Sequence, residues 1–420
     1  MMKYDIIVAG AGPAGICAAV SAARQGARVA LIERYGVVGG NLTAGYVGPI
    51  LGSVGPGTMR DEVCGLLGVK DNDWIGEQGY AHNFEEAKFT LADLVAKESN
   101  IDVFLQTAVF DVIKDGNVVK GLVCASNEGP LRFEAPVTID CTGDGIVSFM
   151  AGAEVGKGRE DGLMQPVTLE FTIDGVDEER GLICIGDVDN VELNGQRFLD
   201  WCKDRAAEGK IPEKLAAVRL HPCVEKGRRQ VNTTQVNRVD ITRIEQIFPA
   251  DYELRQQINL LRDFLRENLP GYENIKVIGS GTTTGVRESR RIMGDYVIDA
   301  DELSAGKRFP DVIVHDALFI VDIHNPDGAG QAEDKIQYCQ PYDLPYRCFL
   351  PKGLEGLMVA GRCISGTHRA HASYRVMSIC MAMGEAVAAA LSVQNGCTPR
   401  QLDVALLQKT MTDKGIVLFD

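Results

Sequence analysis

Between Asp5 and Glu33 the chain reads DIIVAGAGPAGICAAVSAARQGARVALIE. The unbroken apolar run from Ile6 to Ala9 is too short for a helix and has the texture of a strand buried on both faces. An alanine-rich stretch from Pro13 suits a helix, and a second apolar run closes at Ile32, so the pattern predicts strand, glycine turn, helix, strand. A helix is predicted over about 85–99, where Phe89, Leu91, Leu94 and Val95 form one apolar stripe. Alternation at period two then takes over in VFLQTAVFDVIK, NVVKGLVCAS and LRFEA. These are separated by the turn residues Asp115-Gly116-Asn117 and Asn127-Glu128-Gly129, which predicts a small antiparallel meander. PVTIDCTGDG reads as a buried strand that ends in a glycine turn and returns the chain to its first, parallel sheet.

Beyond Glu154 the texture changes to mixed strands (VTLEFTI, VNTTQVNRV) and a charged helix, YELRQQINLLRDFLREN, stopped at Pro270-Gly271. Buried strands are expected again at DVIVHDALFIVDI and GLMVAGR. A closing helix over about 376–391 follows, with apolar residues at 376, 379, 380, 383 and 387. The predicted fold class is α/β. A Rossmann-like dinucleotide-binding domain with a small antiparallel β-meander occupies 1–153 and 311–420, and an α+β substrate domain at 154–310 interrupts it. No internal repeat is visible.

Composition narrows the partners. Forty-three basic against 58 acidic residues leave a net charge of -15, which argues against nucleic acid or an anionic membrane surface. Twelve cysteines are scattered with no CxxC pair and no zinc or iron-sulfur spacing, and they read as reduced thiols in a cytoplasmic protein with no metal centre. The N-terminus enters its first strand at once, so no export signal is expected. Runs such as MAMGEAVAAALSV, broken by Gly384 and Glu385, are too short for membrane insertion.

The chemistry concentrates at the first turn. Gly10 suits the tight turn, Gly12 leaves room for a pyrophosphate, Gly15 lets helix and strand pack, and Pro13 suits a first helical turn. The helix N-terminus offers free N–H groups to phosphates, and Glu33 is placed to accept from ribose hydroxyls. The glycine-rich RYGVVGGNLTAGYVG follows on the ligand side of such a sheet. Thr142-Gly143-Asp144-Gly145 is either a cofactor-side turn or a plain turn.

Near the C-terminus, a strand ending in Gly361-Arg362 leads through a polar loop to a helix starting near Val376. Its N-terminus either faces the cleft, where it would stabilise negative charge on a bound group, or only caps the sheet. His368, Arg369, His371, Tyr374 and Arg375 crowd that loop in a chain with six histidines. Three readings stand: proton transfer beside an anionic substrate, a metal pair, or a solvated basic loop. Arg287, Arg290 and Arg291 are a further basic cluster, and on a helix 287 and 291 would share a face; they either bind a substrate carboxylate or pair with Glu288 and Asp295 on a solvated helix face. GSGTTTG, at 279–285, imitates a second dinucleotide turn, although its threonines suit a substrate-pocket wall better.

Taken together, DIIVAGAGPAG with Glu33, GGNLTAGYVGP, TIDCTGDG, QPVTLEFTIDGVD, GVRESRRIMGDYVI and YDLPYRCFLPKGLEGLMVAGRCISGTH resemble the FAD-dependent oxidoreductases whose nucleotide domain is interrupted by a substrate domain. The fumarate reductase and succinate dehydrogenase flavoproteins are more distant relatives. The resemblance implies bound FAD. Its adenosine would lie at Glu33 and Arg34, its pyrophosphate at Gly10, Gly12, Pro13, Ala14, Gly15, Gly39, Gly40, Gly361 and Arg362, and its flavin near Val376 and Met377. Asn41, Val109, Thr142, Gly143 and Asp144 complete the cofactor set. GGNLTAGYVG lacks the histidine that carries covalent flavin in the fumarate reductase relatives, so non-covalent FAD is expected.

The expected activity is hydride transfer between flavin N5 and a small anionic or hydroxylated substrate. His368 or His371 would be the acid/base, and Tyr374, Arg375 and Arg287 would orient the substrate. Alternatives are an NAD(P)H-driven reductase, with NAD(P)H as transient electron donor, and an electron-relay subunit of a larger complex. An RNA-modifying flavoprotein ranks last on charge. The expected partners are the small-molecule substrate and an unidentified electron donor or acceptor, with homo-oligomers left open.

Overall fold

The computed structural model describes residues 1–69, 80–186, 190–333, 336–393 and 396–419. In chain order the framework is β1 (Ile6–Ala9), α1 (Pro13–Arg24), β2 (Val29–Ile32), α2 (Phe84–Ala96), β3 (Ile101–Phe104), β4 (Val137–Asp140), α3 (Ile244–Asn268), β5 (Leu357–Val359), α4 (His368–Tyr374) and α5 (Met377–Ala389). The five strands form one parallel sheet in the order β5-β4-β1-β2-β3. Strands β1, β2 and β4 are buried along their whole length, which is why they read as unbroken apolar runs. The chain runs outward from β1 to β2 and β3, then returns to β4 on the other side of β1. A crevice therefore opens at the carboxyl ends of β1 and β4.

Two backbone contacts set the helices on this sheet. A Cβ on Gly15 would stand 1.7 Å from the Gly10 carbonyl oxygen, so α1 begins directly against the end of β1. A Cβ on Gly384 would stand 1.9 Å from the Ala14 carbonyl oxygen, so α5 crosses α1 at its first turn.

Several elements depart from the sequence pattern. VFLQTAVFDVIK is divided between two sheets, since β3 joins the parallel sheet while Ala108–Asp115 opens the meander with Val118–Ser126 and Gly129–Glu134. Gln106, at φ 51°, turns the corner between them. Val312–Ala317 pairs antiparallel with Tyr342–Pro345 and stays outside the parallel sheet, because an apolar run does not specify its partner. Helix α3 starts well before Tyr252 and carries Pro249 inside it. The polar loop expected around His368 is helix α4, capped by the Thr367 hydroxyl on the Ala370 N–H.

The insertion has its own core, from Val167 to Ile275, on a four-stranded sheet of Leu220–Pro222, Arg228–Val231, Phe171–Asp174 and Lys276–Ser280. Leu254, Leu261 and Leu265 of α3 pack into it. Ile292, Ile298, Leu303 and Phe309 belong instead to the core of the nucleotide domain, so the insertion's core is narrower than 154–310. Val155–Lys157 pairs with Arg290–Ile292 and ties the neck where the chain leaves and returns. Among the described residues no helix is long and apolar enough to cross a membrane.

The same substitution should have opposite signs at two helical glycines. In Met59–Leu66 a Cβ on Gly65 meets nothing within 4 Å, so Gly65→Ala should stabilise by about 0.5–1 kcal/mol. Gly384→Ala should destabilise by about 1–3 kcal/mol through overpacking against α1. Urea denaturation midpoints check both.

Candidate functional site

At the carboxyl ends of β1 and β4 lies a cavity of about 270 Å³. The N-termini of α1 and α5 both reach its wall, through Pro13 and Met377. Neither helix has a side-chain cap, whereas Asn83 caps α2 and Thr367 caps α4. Uncapped first turns leave N–H groups free, and aligned peptide dipoles add partial positive charge, so both ends are suited to anionic groups.

The turn at α1 separates glycines that the chain needs from one that it does not. Gly10 sits at φ 97°, and a Cβ there would be 2.5 Å from the Cys141 carbonyl oxygen. Gly12 has ordinary extended geometry at φ -75°. A Cβ on Gly12 would find only the Gly40 Cα, 4.0 Å away. The fold does not require glycine at position 12, and what a side chain there would obstruct is the cavity.

Charge is organised around Asp144. Its Oδ1 accepts from Arg362 Nη2 at 2.7 Å and Ser289 Oγ at 2.9 Å, and its Oδ2 faces Arg34 Nη2 at 3.5 Å. Burial works against the charge of its carboxyl, but the Arg362 and Arg34 guanidinium groups hold it below its usual range. Asp144 thereby ties β5 and the end of β2 to the turn after β4. Glu33 is buried and its two oxygens accept from the Ala11 N–H at 2.7 Å and the Tyr35 N–H at 2.9 Å. Burial raises its carboxyl above the ordinary value, against the pull of those N–H groups.

Of the sequence candidates, Gly10, Gly12, Pro13, Ala14, Glu33, Arg34, Gly40, Asn41, Val109, Thr142, Gly143, Asp144, Gly361, Arg362, Arg375 and Met377 line this cavity. Three cofactor candidates are not on its wall. Gly15 is sealed against Gly10, Gly39 is crowded by Thr43 and donates to the Ala11 carbonyl, and Val376 packs against Gly52.

The catalytic candidates are also displaced, apart from Arg375. Tyr374 is fully buried and donates to the Ile364 carbonyl at 3.1 Å. His371 is fully buried with neither ring nitrogen partnered. Burial, then the charges of Arg375, Arg291 and Arg362, pushes its imidazole well below the usual range. His368 Nδ1 lies 2.9 Å from Glu288 Oε1. Glu288 also pairs with buried Arg291, which sits in the strand Arg290–Ile292, so Arg287 and Arg291 do not share a helix face. Arg287 is buried behind the wall and donates to the Pro166 carbonyl and Asn232 Oδ1. Burial, then the neighbouring charge of Arg375, lowers its guanidinium to about 9.

GSGTTTG does not build a second dinucleotide turn. Lys276–Ser280 is antiparallel in the insertion's sheet, and irregular chain rather than a helix follows it. Its Thr283 and Thr284, with Val286, instead close this cavity from the insertion side, and Tyr35 Oη donates to Thr283 Oγ1 at 2.9 Å across the two domains. Tyr35, Thr107 and Cys141 on the wall had no sequence signal. Nor had His82, whose ring lies between the carbonyls of Leu42, at 2.7 Å, and Gly48, at 3.1 Å, and so pins the glycine-rich loop.

Residues 5–411 match the family described as FAD dependent oxidoreductase. The thiamine thiazole synthase of Pyrococcus horikoshii is 30% identical over 153 residues, covering 34% of this chain and 59% of that relative. The soluble pyridine nucleotide transhydrogenase of a Marinomonas species is 30% identical over 152 residues, 33% of this chain and 30% of that relative. The matched segments thus span under two thirds of either relative. A geranylgeranyl bacteriochlorophyll reductase-like protein from Thermoplasma acidophilum aligns over 98% of this chain and 83% of its own, at 17% identity and a TM-score of 0.47.

Gly12→Val should leave the melting temperature of the ligand-free protein nearly unchanged and reduce the flavin absorbance retained per protein by about tenfold or more. Retention at the parent level would show that nothing binds against Gly12. Asp144 has a lowered carboxyl in the folded chain, so it contributes stability above the unfolded value of about 3.9 and loses it as pH falls through the folded one. Asp144→Asn should therefore be less stable than the parent near neutrality, with the gap closing in acid. Denaturation series at several pH values measure that gap.

Proposed function

The chain belongs to the FAD dependent oxidoreductase family and is an enzyme, and from that premise we propose how its cavity is used. Glu33 and Arg34 hold the adenosine, and the first turn of α1 with Gly40, Gly361 and Arg362 holds the pyrophosphate. The first turn of α5 stabilises negative charge at the far end. The observation that carries this reading is the pair of uncapped helix N-termini on one glycine-cradled cavity. When bound, FAD supplies two-electron chemistry, exchanging hydride at flavin N5.

The chain's own residues then select the partner. Arg375 is the charged group on the wall beside Met377, and it is braced by Asp322, to whose Oδ2 its Nη2 donates at 2.8 Å. A small anionic or hydroxylated organic substrate held between the two domains at that end is the reading favoured. Neither His368 nor His371 reaches the cavity wall, so neither is placed to transfer a proton there. No helix start follows GSGTTTG, which leaves NAD(P)H the weaker choice of electron donor. A cytoplasmic setting belongs to the same proposal and is supported by twelve cysteines, eleven of them buried, none of which forms a disulfide among the described residues.

Denaturation should move the flavin bands of the purified protein into the supernatant; bands that stay with the precipitate would refute non-covalent binding. In anaerobic titration, bleaching by small hydroxylated or carboxylate compounds is the expected result. Rapid bleaching by NADPH alone would replace this reading with a reductase, and no bleaching by any small molecule would replace it with an electron relay.

A further inference from the structure

Arg375 lies between α4 and α5 and lines the cavity beside Met377 and Cys380 of the first turn of α5. Its Nη2 donates to two oxygens of one residue, the Asp322 carbonyl at 3.0 Å and Asp322 Oδ2 at 2.8 Å. Asp322 is fixed in turn: its Oδ1 accepts from Gln331 Nε2 at 2.5 Å, and His324 Nε2 lies 3.3 Å from its Oδ2. Nε of Arg375 is sealed from solvent without a partner. Nη1 makes no hydrogen bond among the described residues and is not sealed, so it is the nitrogen left to meet whatever fills the cavity. The side chain is 13% exposed, so its charge is held in a poorly hydrated place. Burial lowers the guanidinium from its ordinary value, with Asp322 the first charge to oppose that shift. A guanidinium starts high enough to stay cationic at neutral pH.

The rest of the wall does not cancel this charge. It carries two carboxylates, and both are engaged elsewhere: Asp144 is shared by Arg362 and Arg34, and Glu33 accepts from the N–H groups of Ala11 and Tyr35 at the end of β2. Asp322 is not on the wall, so the Arg375–Asp322 pair presents its positive pole to the cavity. The uncapped first turn of α5 adds partial positive charge from the same side.

We propose that Arg375, held in place by Asp322, raises the reduction potential of the bound flavin, so that the enzyme works in the direction in which the flavin takes hydride from its substrate. The inference rests on the reading above that the flavin end of FAD lies beside Met377, and it gives that reading a direction. The oxidised ring is neutral, whereas uptake of hydride at N5 leaves it with one negative charge along its N1 and C2-oxygen edge. A fixed cation and a helix N-terminus at that end interact more strongly with the reduced ring than with the oxidised one. By linkage, tighter binding of reduced than of oxidised FAD is the same quantity as a potential above that of free FAD. A flavin that delivers hydride is served by the opposite arrangement, a wall that destabilises the anion. For a hydroxylated substrate the half-reaction balances with no further reactant: the C–H bond breaks, its hydrogen passes with both electrons to N5, the carbonyl forms, and the hydroxyl proton is released to water.

The midpoint potential of the purified flavin-loaded protein, measured without substrate by anaerobic equilibration with an indicator dye, tests the assignment without relying on turnover. It should lie about 30 mV or more above that of free FAD in the same buffer, which corresponds to reduced FAD bound about tenfold or more tightly than oxidised FAD. Arg375→Gln keeps a donor for Asp322 and removes the charge, and it should lower that ratio about tenfold. Arg375→Lys keeps the charge and should retain most of the parent's shift, with flavin content and melting temperature verifying that both variants are folded and loaded. A parent potential at or below that of free FAD overturns the inference. So does a loaded Arg375→Gln protein with the parent's potential, or an equal loss in the glutamine and lysine variants. If neither variant holds flavin, the parent's potential alone decides. Protein that takes up no FAD refutes the cofactor reading itself, whereas bound flavin at an unraised potential refutes the direction and spares that reading.

Discussion

Backbone-to-backbone contact at two glycines is the constraint on which the site depends. With Gly15 against the Gly10 carbonyl and Gly384 against the Ala14 carbonyl, α1 is seated on β1 and α5 on α1 with no side chain between them. Two helix N-termini are thereby brought to one cavity, and the absence of caps on both keeps their N–H groups for a ligand. Larger residues at either crossing would move a helix end by more than the tolerance of a hydrogen bond.

Asp144 performs the corresponding task for charge. It is buried at the end of β4 and gathers Arg362 from beyond β5 and Arg34 from beyond β2, two guanidinium groups that would otherwise repel across the crevice. Its carboxylate is stable there only because those cations are present, so the three groups are interdependent. Cationic side chains are thus held beside a cavity whose helix ends are already positive, in a chain of net charge -15.

The junction with the insertion is built differently. Tyr35 reaches Thr283, Gln165 reaches His324, and Arg291 reaches the carbonyls of Gly158 and Gly366, so polar groups from distant segments satisfy one another where the domains meet.

The first sheet unit and most of the residues that line the cavity were legible because they depend on local rules. Four apolar residues buried on both faces, a glycine at positive φ, a proline at a first helical turn and an acid after the second strand each have one physical cause acting within about thirty residues. The surroundings of the basic residues near the C-terminus were not legible, for the opposite reason. Their spacing marked a charged segment, but burial of Tyr374 and His371 inside α4, and the pairing of His368 with Glu288 eighty positions away, depend on how α4 docks. The division of VFLQTAVFDVIK between two sheets was likewise invisible, since alternation records which face is buried and not which strand lies alongside. His324 carried no signal at all: a lone histidine in DIHNPDG acquires its character only when Asp322, Gln165 and Arg287 surround it. The sequence by itself determined the strand–turn–helix–strand unit at the start of the chain, through short-range backbone geometry. The tertiary structure alone decided which charged side chains meet at the cavity, because long-range packing sets both their neighbours and their exposure to water.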